Sequence, residues 1–529
     1  MKKSILLFTL ILILHGICTR VLSQETIIQY LSGADKDHPV SWEFNCTKGR
    51  NSGTWSNIPV PSFWEQQGFG TNGHDKSSEQ GQYRIAFPSD KDWQNKRAFI
   101  VFEGVMTDAT VRLNGKPVGE HQGSFTQFSF EVTSLLRYTD VNLLEVTVSK
   151  GSSNASVDRV EKAGDLPASG GIFRPVYIKV VPDAYVERVA IDAKVNGNFN
   201  MQVVTHNTKP SQSIEVQVMD LQGKDIGTPF QVNAADNAEV KKQFSVFKTW
   251  NPELPNLYQA VVSIKDGATV IHTFRQKFGF RTVESQSDGL YLNGTKVVFK
   301  GLNRRFSESG ILPSAEATIA DINLMKDMNM NAIRISNYPP DPLFLDLCDS
   351  LGLLVIDELT SPSQPGYDAE TNKRFIKDLV MRDVNHPSVV MWSNDNDKDD
   401  KEYAGIDVQQ RFVVHPTSGD SKKNADFSSL ANSILYGTEA YVPTEFSKGL
   451  YNGGRAAGLE DFWNDMTRQS KFGGTFLWSF RDELGDDPGA PPADPKQLRG
   501  YNFNTIREIW SPVVVDYTGG TGAAFTGSF

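Results

Sequence analysis

The sequence predicts two β-rich domains followed by a (β/α)₈ barrel. Three observations carry that expectation. Short alternating strands separated by Asn/Gly/Asp turns run from about residue 25 to 282, with no helical period of useful length in the first part. From about residue 283 near-continuous apolar strands alternate with amphipathic helices, the pattern of a parallel sheet covered on its outer face. The 529 residues also exceed what one ordinary core organises, so several domains are expected.

Residues 1–23 read as a secretory signal. Lys2 and Lys3 precede an apolar run from Ile5 to Leu14, which is too short to span a bilayer, and cleavage is expected near Leu22-Ser23-Gln24. Cys18 falls in the discarded peptide, and no later stretch is apolar enough to insert in a membrane. The mature protein is therefore expected to be exported, to the periplasm or the cell exterior. That leaves Cys46 and Cys348, too far apart to form a disulfide framework and expected as buried thiols. A net charge of −10 with no Lys/Arg run excludes nucleic acid as a partner.

Residues 24–183 read as a β-sandwich or jelly roll. "YRIAFP" (83–88), "RAFIVFEGV" (97–105), "NLLEVTVSK" (142–150) and "PVYIKVV" (175–181) are strands. "VRLNGKPV" (111–118) is a hairpin, because Asn114-Gly115 supplies the two positive-φ residues of a type I′ turn. Residues 184–282 form a second all-β unit, with strands at "VAIDAKV", "SIEVQVMDL", "QAVVSIKD" and "VIHTFRQKFGF" that suit an immunoglobulin-like sandwich.

Residues 283–515 carry the helical signals. Ser314 caps a helix bearing Ile319, Ile322, Met325 and Met328. Asp341-Pro342 opens the next, on which Leu343, Leu347, Cys348 and Leu351 share a face before Gly352 ends it. A third runs from about Thr371 to Val384 with Phe375, Ile376, Leu379 and Val380 on one side. Seven strands are legible around them: "KVVFKGLN", "NAIRIS", "GLLVIDEL", "SVVMWS", "RFVVHP", "AYVPTEF" and "GGTFLWSF". Another is unclear between Ala425 and Gly437, and residues 516–529 read as a flexible tail.

Several of these words, in this order, resemble glycoside hydrolase family 2, the family of β-galactosidases and β-glucuronidases. "GGIFRPVYIKVV" (170–181) resembles its signature near the end of a jelly-roll sugar-binding domain, and "FGFRTVE" (278–284) the approach to its barrel. "FKGLNRR" (299–305), "NLMKDMNMNAIRISNYPPD" (323–341), "LGLLVIDEL" (351–359) and "VNHPSVVMW" (384–392) resemble its first four barrel strands. "PTEF" (443–446) and "GGTFLWSFRDE" (473–483) resemble the seventh and eighth, and the stretch 443–466 looks most like exported bacterial members.

The resemblance implies a retaining exo-β-glycosidase of β-galactosidase type, with a carbohydrate substrate and no metal or other cofactor. Retaining enzymes hold two carboxyl groups roughly 5–5.5 Å apart across the scissile bond. Glu445 falls on the nucleophile position and Asp397 on the acid/base position. Asn396 matches the Asn that binds the hydroxyl beside the anomeric carbon. Arg304, Asn337, Trp478 and Glu358 fall among the substrate-binding positions, with Arg304 or Arg334 as donors that keep the nucleophile ionised. Asp357 and Trp392 are weaker candidates for the pocket.

The fourth strand departs from the pattern. The family reads Trp-Ser-x-Gly-Asn-Glu, and this chain reads Trp392-Ser393-Asn394-Asp395-Asn396-Asp397, one methylene short at the acid. Arg305 and Asn337 stand where the family carries histidines. These departures leave open a second expectation, a carbohydrate-binding member whose turnover is impaired. The two barrel histidines, His386 and His415, each precede Pro and read as turn residues, with no metal-ligand spacing around them.

Overall fold

The computed structural model describes residues 25–71, 79–163, 169–286, 288–304, 314–335, 338–359, 366–394, 442, 463–464, 466–477 and 506–511. The first unit is an antiparallel sandwich. Its four-stranded sheet pairs 27–30, 176–181, 97–102 and 128–131 in that order, and faces a six-stranded sheet of 56–60, 40–46, 80–88, 141–149, 108–113 and 116–122. Every second residue points inward, so Trp42 and Phe44, Tyr83, Ile100 and Phe102, Val146 and Ile178 fill one core. Asn114 and Gly115 take φ of 54° and 77°, as the expected hairpin turn requires.

One element of this unit is absent from the expectation: α1, Ala155–Ala163. At nine residues it is too short to show an apolar stripe, and its buried residues are Ser156, Val157, Val160 and Glu161, of which only the two valines are apolar. Those two residues join the barrel's cluster rather than the sandwich core.

The second sandwich pairs 185–193, 198–206 and 237–243 against 230–233, 212–220, 258–266 and 269–278. Phe199, Phe244, Phe278 and Phe280 meet edge to face with Tyr258 in its core. The strand at 198–206 is absent from the sequence expectation because Asn198, Asn200 and Gln202 disguise it. Its inward residues are Phe199, Met201, Val203 and Thr205, a complete alternation.

The barrel follows. Five parallel strands are described: β1 (Phe299–Arg304), β2 (Ala332–Ile335), β3 (Leu354–Leu359), β4 (Val389–Asn394) and β5 (Gly474–Leu477). Their order is β4-β3-β2-β1-β5, so the last described barrel strand pairs with the first, the closure a barrel demands. Phe476 of β5 lies across Gly301 of β1, where an added Cβ would come within 2.3 Å of the ring. The approach of these two strands therefore depends on that glycine. "RFVVHP" and, apart from Val442, "AYVPTEF" lie outside the described residues.

Among the described residues three helices cover the outside: α2 (Ala315–Asp327), α3 (Pro342–Leu351) and α4 (Ala369–Asp383). Ser314, Asp341 and Asp368 cap them, each accepting from a backbone amide of the first turn, a contribution of about 1 kcal/mol apiece. Gly352 ends α3 at φ 76°, as expected. Two residues expected on apolar faces are exposed instead, Ile319 and Leu343. The buried stripe of α2 is Thr318, Asp321, Ile322 and Met325, and that of α3 is Phe344, Leu345, Cys348 and Asp349. Both stripes include a carboxylate, which hydropathy alone reads as solvent-facing. Cys46 and Cys348 are buried free thiols, and burial pushes both pKa values up. Among the described residues no helix is long and apolar enough to cross a membrane.

The β domains are bolted to the barrel by polar groups. Ser156 of α1 donates to Asp368 (2.5 Å), Asn154 to Thr371 (3.2 Å) and Arg159 to the Gly366 carbonyl (2.9 Å). From the second sandwich, Trp250 Nε1 donates to the Asp349 carbonyl (2.8 Å), and the Asn385 amide pairs with the backbone of Val189 and Ile191.

Asp349 itself is saturated. Its Oδ1 accepts from the amide and hydroxyl of Ser388, and its Oδ2 lies 2.6 Å from His386 Nδ1. Asp346, Asp349 and His386 form a group of possible metal ligands whose atoms lie within 4.8 Å of one another, a cluster in space that spacing along the sequence does not reveal. A separation of 37 positions between Asp349 and His386 hides it from spacing rules. His386 is thus more than a turn residue.

Burial opposes a charge on His386, but the Asp349 charge and hydrogen bond outweigh it and raise its pKa, with Asp383 and Asp346 adding. A histidine whose folded pKa exceeds its unfolded value adds stability below about pH 6.5 and loses it as pH rises through the folded pKa. His386→Asn should therefore lower the melting temperature more at about pH 5.5 than at about pH 9. A loss that is equal at both values would show that the pair is held as a neutral hydrogen bond.

Candidate active site

Strand alternation decides which side chains enter the barrel. On β1, Phe299, Gly301 and Asn303 face inward, and on β2 Ala332 and Arg334 do. On β3 the inward set is Leu354, Ile356 and Glu358. The lower layer is apolar: Phe299, Ala332, Leu354, Ile356, Met391 and Phe476 pack with Trp250, Val283, Leu290 and Leu292 from the preceding segment.

Above that layer the interior turns polar. Asn303 is fully buried and donates its amide to the Leu477 carbonyl of β5 (3.1 Å). Its Oδ1 accepts from Arg334 Nη1 (3.1 Å). Arg334 then grips Glu358 with two bonds, Nε to Oε2 at 2.7 Å and Nη2 to Oε1 at 2.9 Å. Both partners are essentially out of solvent. One continuous chain of bonds thus links β5, β1, β2 and β3 near their C-terminal ends, where barrel enzymes carry their chemistry. The fork geometry requires arginine at 334, because an ammonium could not make both contacts and also reach Asn303.

Removing one partner of a buried pair leaves a naked charge. Glu358→Gln should cost the barrel about 3–5 kcal/mol, read as a lower midpoint in denaturant unfolding followed by barrel tryptophan fluorescence. An unchanged midpoint would mean that water reaches Arg334.

Arg304 follows Asn303 and so faces the opposite way. Its guanidinium lies 4.9 Å over the Phe344 ring of α3 and 3.4 Å from Asp321 of α2. Of the two arginines expected near the nucleophile, Arg334 is the one inside the barrel. Asp357 likewise alternates away from Glu358 and faces α4. It is fully buried, and desolvation together with the Asp383 carboxylate raises its pKa well above the usual range. Asp383 is itself chelated by Arg382, at 2.7 and 2.6 Å. Trp392 is buried in the cluster beneath the helices, with Val355, Leu359 and Leu379. It is a core residue.

Glu445, Asp397, Asn396, Asn337 and Trp478 lie outside the described residues, as do Asp395 and Arg305. Asn303 is not among the residues that the sequence singles out. The signal that could have found it is parity with Phe299 and Gly301 along one strand.

Three family models match consecutive parts of the chain. "Glycosyl hydrolase 2 galactose-binding domain-like" matches residues 69–175, "Glycosyl hydrolases family 2" matches 177–281, and "Glycosyl hydrolases family 2, TIM barrel domain" matches 283–418. The chain belongs to glycoside hydrolase family 2. Its fold is that family's: a galactose-binding-like sandwich, an immunoglobulin-like sandwich and a TIM barrel.

Among family 2 relatives, a β-galactosidase of Priestia megaterium is 26% identical over 508 residues, covering 81% of this chain and 48% of that protein. One from Thermoanaerobacter pseudethanolicus is 29% identical over 403 residues, covering 70% and 54%. The chain spans about half the length of the curated relatives it matches. Of solved structures, the Faecalibacterium prausnitzii β-glucuronidase superposes with a TM-score of 0.72 at 21% identity, covering 92% of this chain and 97% of that one. At that identity the likeness speaks for the fold alone.

Proposed function

We propose that the protein is an exported retaining exo-β-glycosidase that hydrolyses terminal β-glycosidic bonds, with a β-galactoside as the first substrate to try. The observation that supports it most is the course of β4. It pairs in parallel with β3 as far as Asn394, and Asp395-Asn396-Asp397 follow in the chain directly from that C-terminal end. Family membership and the β-galactosidase names of its curated relatives support the substrate class. Residues 1–23 support export.

In this reading Glu445 attacks the anomeric carbon while Asp397 protonates the departing oxygen. Asp397 then takes a proton from the water that releases the glycosyl group, and the anomeric configuration is retained. Asn396 holds the neighbouring hydroxyl, Trp478 stacks under the ring, and the buried Asn303–Arg334–Glu358 chain keeps the strand ends rigid beneath them.

A second reading, a carbohydrate-binding member with impaired turnover, is favoured by Asp395, Asp397, Arg305 and Asn337, four departures in residues implied for one pocket. A panel of nitrophenyl β-glycosides separates the two, because a good leaving group asks little of the acid. Turnover of one sugar supports the hydrolase. Binding of sugar without any turnover supports the alternative.

A further inference from the structure

Two buried arginines tie the β domains to the barrel, and they grip it at opposite ends. Arg281, from the second sandwich, donates to the carbonyls of Val389 (2.7 Å) and His386 (3.3 Å), at the start of β4. Arg174, from the first sandwich, donates Nη2 to the Pro339 carbonyl at 2.8 Å and Nη1 to the Phe125 carbonyl at 3.2 Å. Pro339 follows the C-terminal end of β2, so this contact lies on the side where the chemistry is proposed.

The site is built for that contact. Arg174 is 1% exposed, and its guanidinium lies 5.2 Å from the Phe173 ring and 5.8 Å from that of Phe125. The Phe125 ring in turn meets Tyr338 at 5.6 Å. Burial lowers the Arg174 pKa to about 10, with Asp341 and Glu103 opposing, so the group is charged at neutral pH. The next carbonyl, Pro340, receives Arg382 Nη2 of α4 at 2.9 Å. Two consecutive carbonyls are thus held by guanidinium groups from different domains, and Arg174 bridges Phe125 and Pro339 as only a fork can.

We propose that Arg174 is a positioning residue, through which the first β domain sets the backbone of residues 338–341 at the C-terminal rim of the barrel. Its kinetic consequence rests on the glycosidase reading, and its structural consequence does not. A small displacement of a rim segment is enough to lower turnover by about a hundredfold. A residue that merely glues two domains together affects stability alone.

The test compares Arg174→Met, Arg174→Lys and Arg281→Met in the 529-residue protein, each assayed well below its melting temperature. With the nitrophenyl β-glycoside that the wild type turns over fastest, Arg174→Met should lower kcat about ten- to a hundredfold with KM little changed. Arg174→Lys, which keeps one charged donor, should recover part of the loss. Arg281→Met should melt earlier yet keep its kcat. Amide exchange at Asp341 and at Leu343 to Leu345, which follow the held carbonyls, should quicken in Arg174→Met and not in Arg281→Met. Equal losses of kcat in the two Met variants, or wild-type kcat in Arg174→Met, would overturn the kinetic part. Unchanged exchange in Arg174→Met would overturn the proposal altogether. A wild type inert on every glycoside would count against the glycosidase reading, and the exchange measurement would then decide the role of Arg174 by itself.

Discussion

Glu445→Gln should abolish hydrolysis of every β-glycoside that the wild type turns over. The loss should exceed the roughly 10²–10⁴-fold that removal of a general acid costs. A nucleophile has no substitute in a retaining mechanism, because the glycosyl-enzyme cannot form without a second carboxylate on the opposite face of the sugar. A fluoroglycoside of the right sugar should label Glu445 in the wild type and leave the Gln variant unmodified, as peptide mass mapping would show. The amide is nearly isosteric, so the variant should melt with the wild type, and lost activity cannot then be ascribed to unfolding. Hydrolysis at the wild-type rate in Glu445→Gln would remove Glu445 from the mechanism and with it the retaining assignment.

The parts of the fold that follow from periodicity were legible in the sequence. The hairpin at Asn114-Gly115, the caps at Ser314 and Asp341, and five of the seven barrel strands read from the sequence all rest on local rules, and the described residues bear them out. What was hidden depends on partners distant in sequence. Asp357 and Glu358 are neighbours at the end of one strand, yet Glu358 binds Arg334 inside the barrel, whereas Asp357 is buried outside it, where the Asp383 charge adds to desolvation in raising its pKa. Adjacent carboxylates look alike until the direction of the pleat is known. His386 precedes a proline and looks like a turn residue, nothing in the sequence singles out Asp349, and their pairing appears only once α3 packs beside the segment that leads into β4. The buried arginines at 174 and 281 sat in recognisable words, but their targets are backbone carbonyls, which carry no sequence signal at all.

Asp397 should support a weakened activity that depends steeply on the leaving group. An aspartate is shorter than a glutamate by one C–C bond, about 1.5 Å, whereas a direct hydrogen bond tolerates only a few tenths of an ångström. Proton delivery to the departing oxygen then needs a shifted backbone or an intervening water. Either device serves poor leaving groups worst, because they require the most complete protonation in the transition state. Nitrophenyl glycosides should accordingly be cleaved much faster than natural disaccharides of the same sugar. Asp397→Ala should damage disaccharide turnover more than nitrophenyl turnover. Asp395 bears on the same step, since a second carboxylate beside the acid favours the protonated form if both are poorly solvated. The double change Asp395→Gly with Asp397→Glu rebuilds the family's word and should raise kcat on natural glycosides by up to about 10²-fold, the lower end of what a positioned general acid supplies. The gain on nitrophenyl substrates should be far smaller, and that contrast separates a repaired acid from a general improvement in folding. A rebuilt protein that still binds sugar but hydrolyses no β-glycoside would locate the defect elsewhere. Arg305 and Asn337, standing where the family carries histidines, would then be the residues to revert, and the carbohydrate-binding reading would replace the hydrolase.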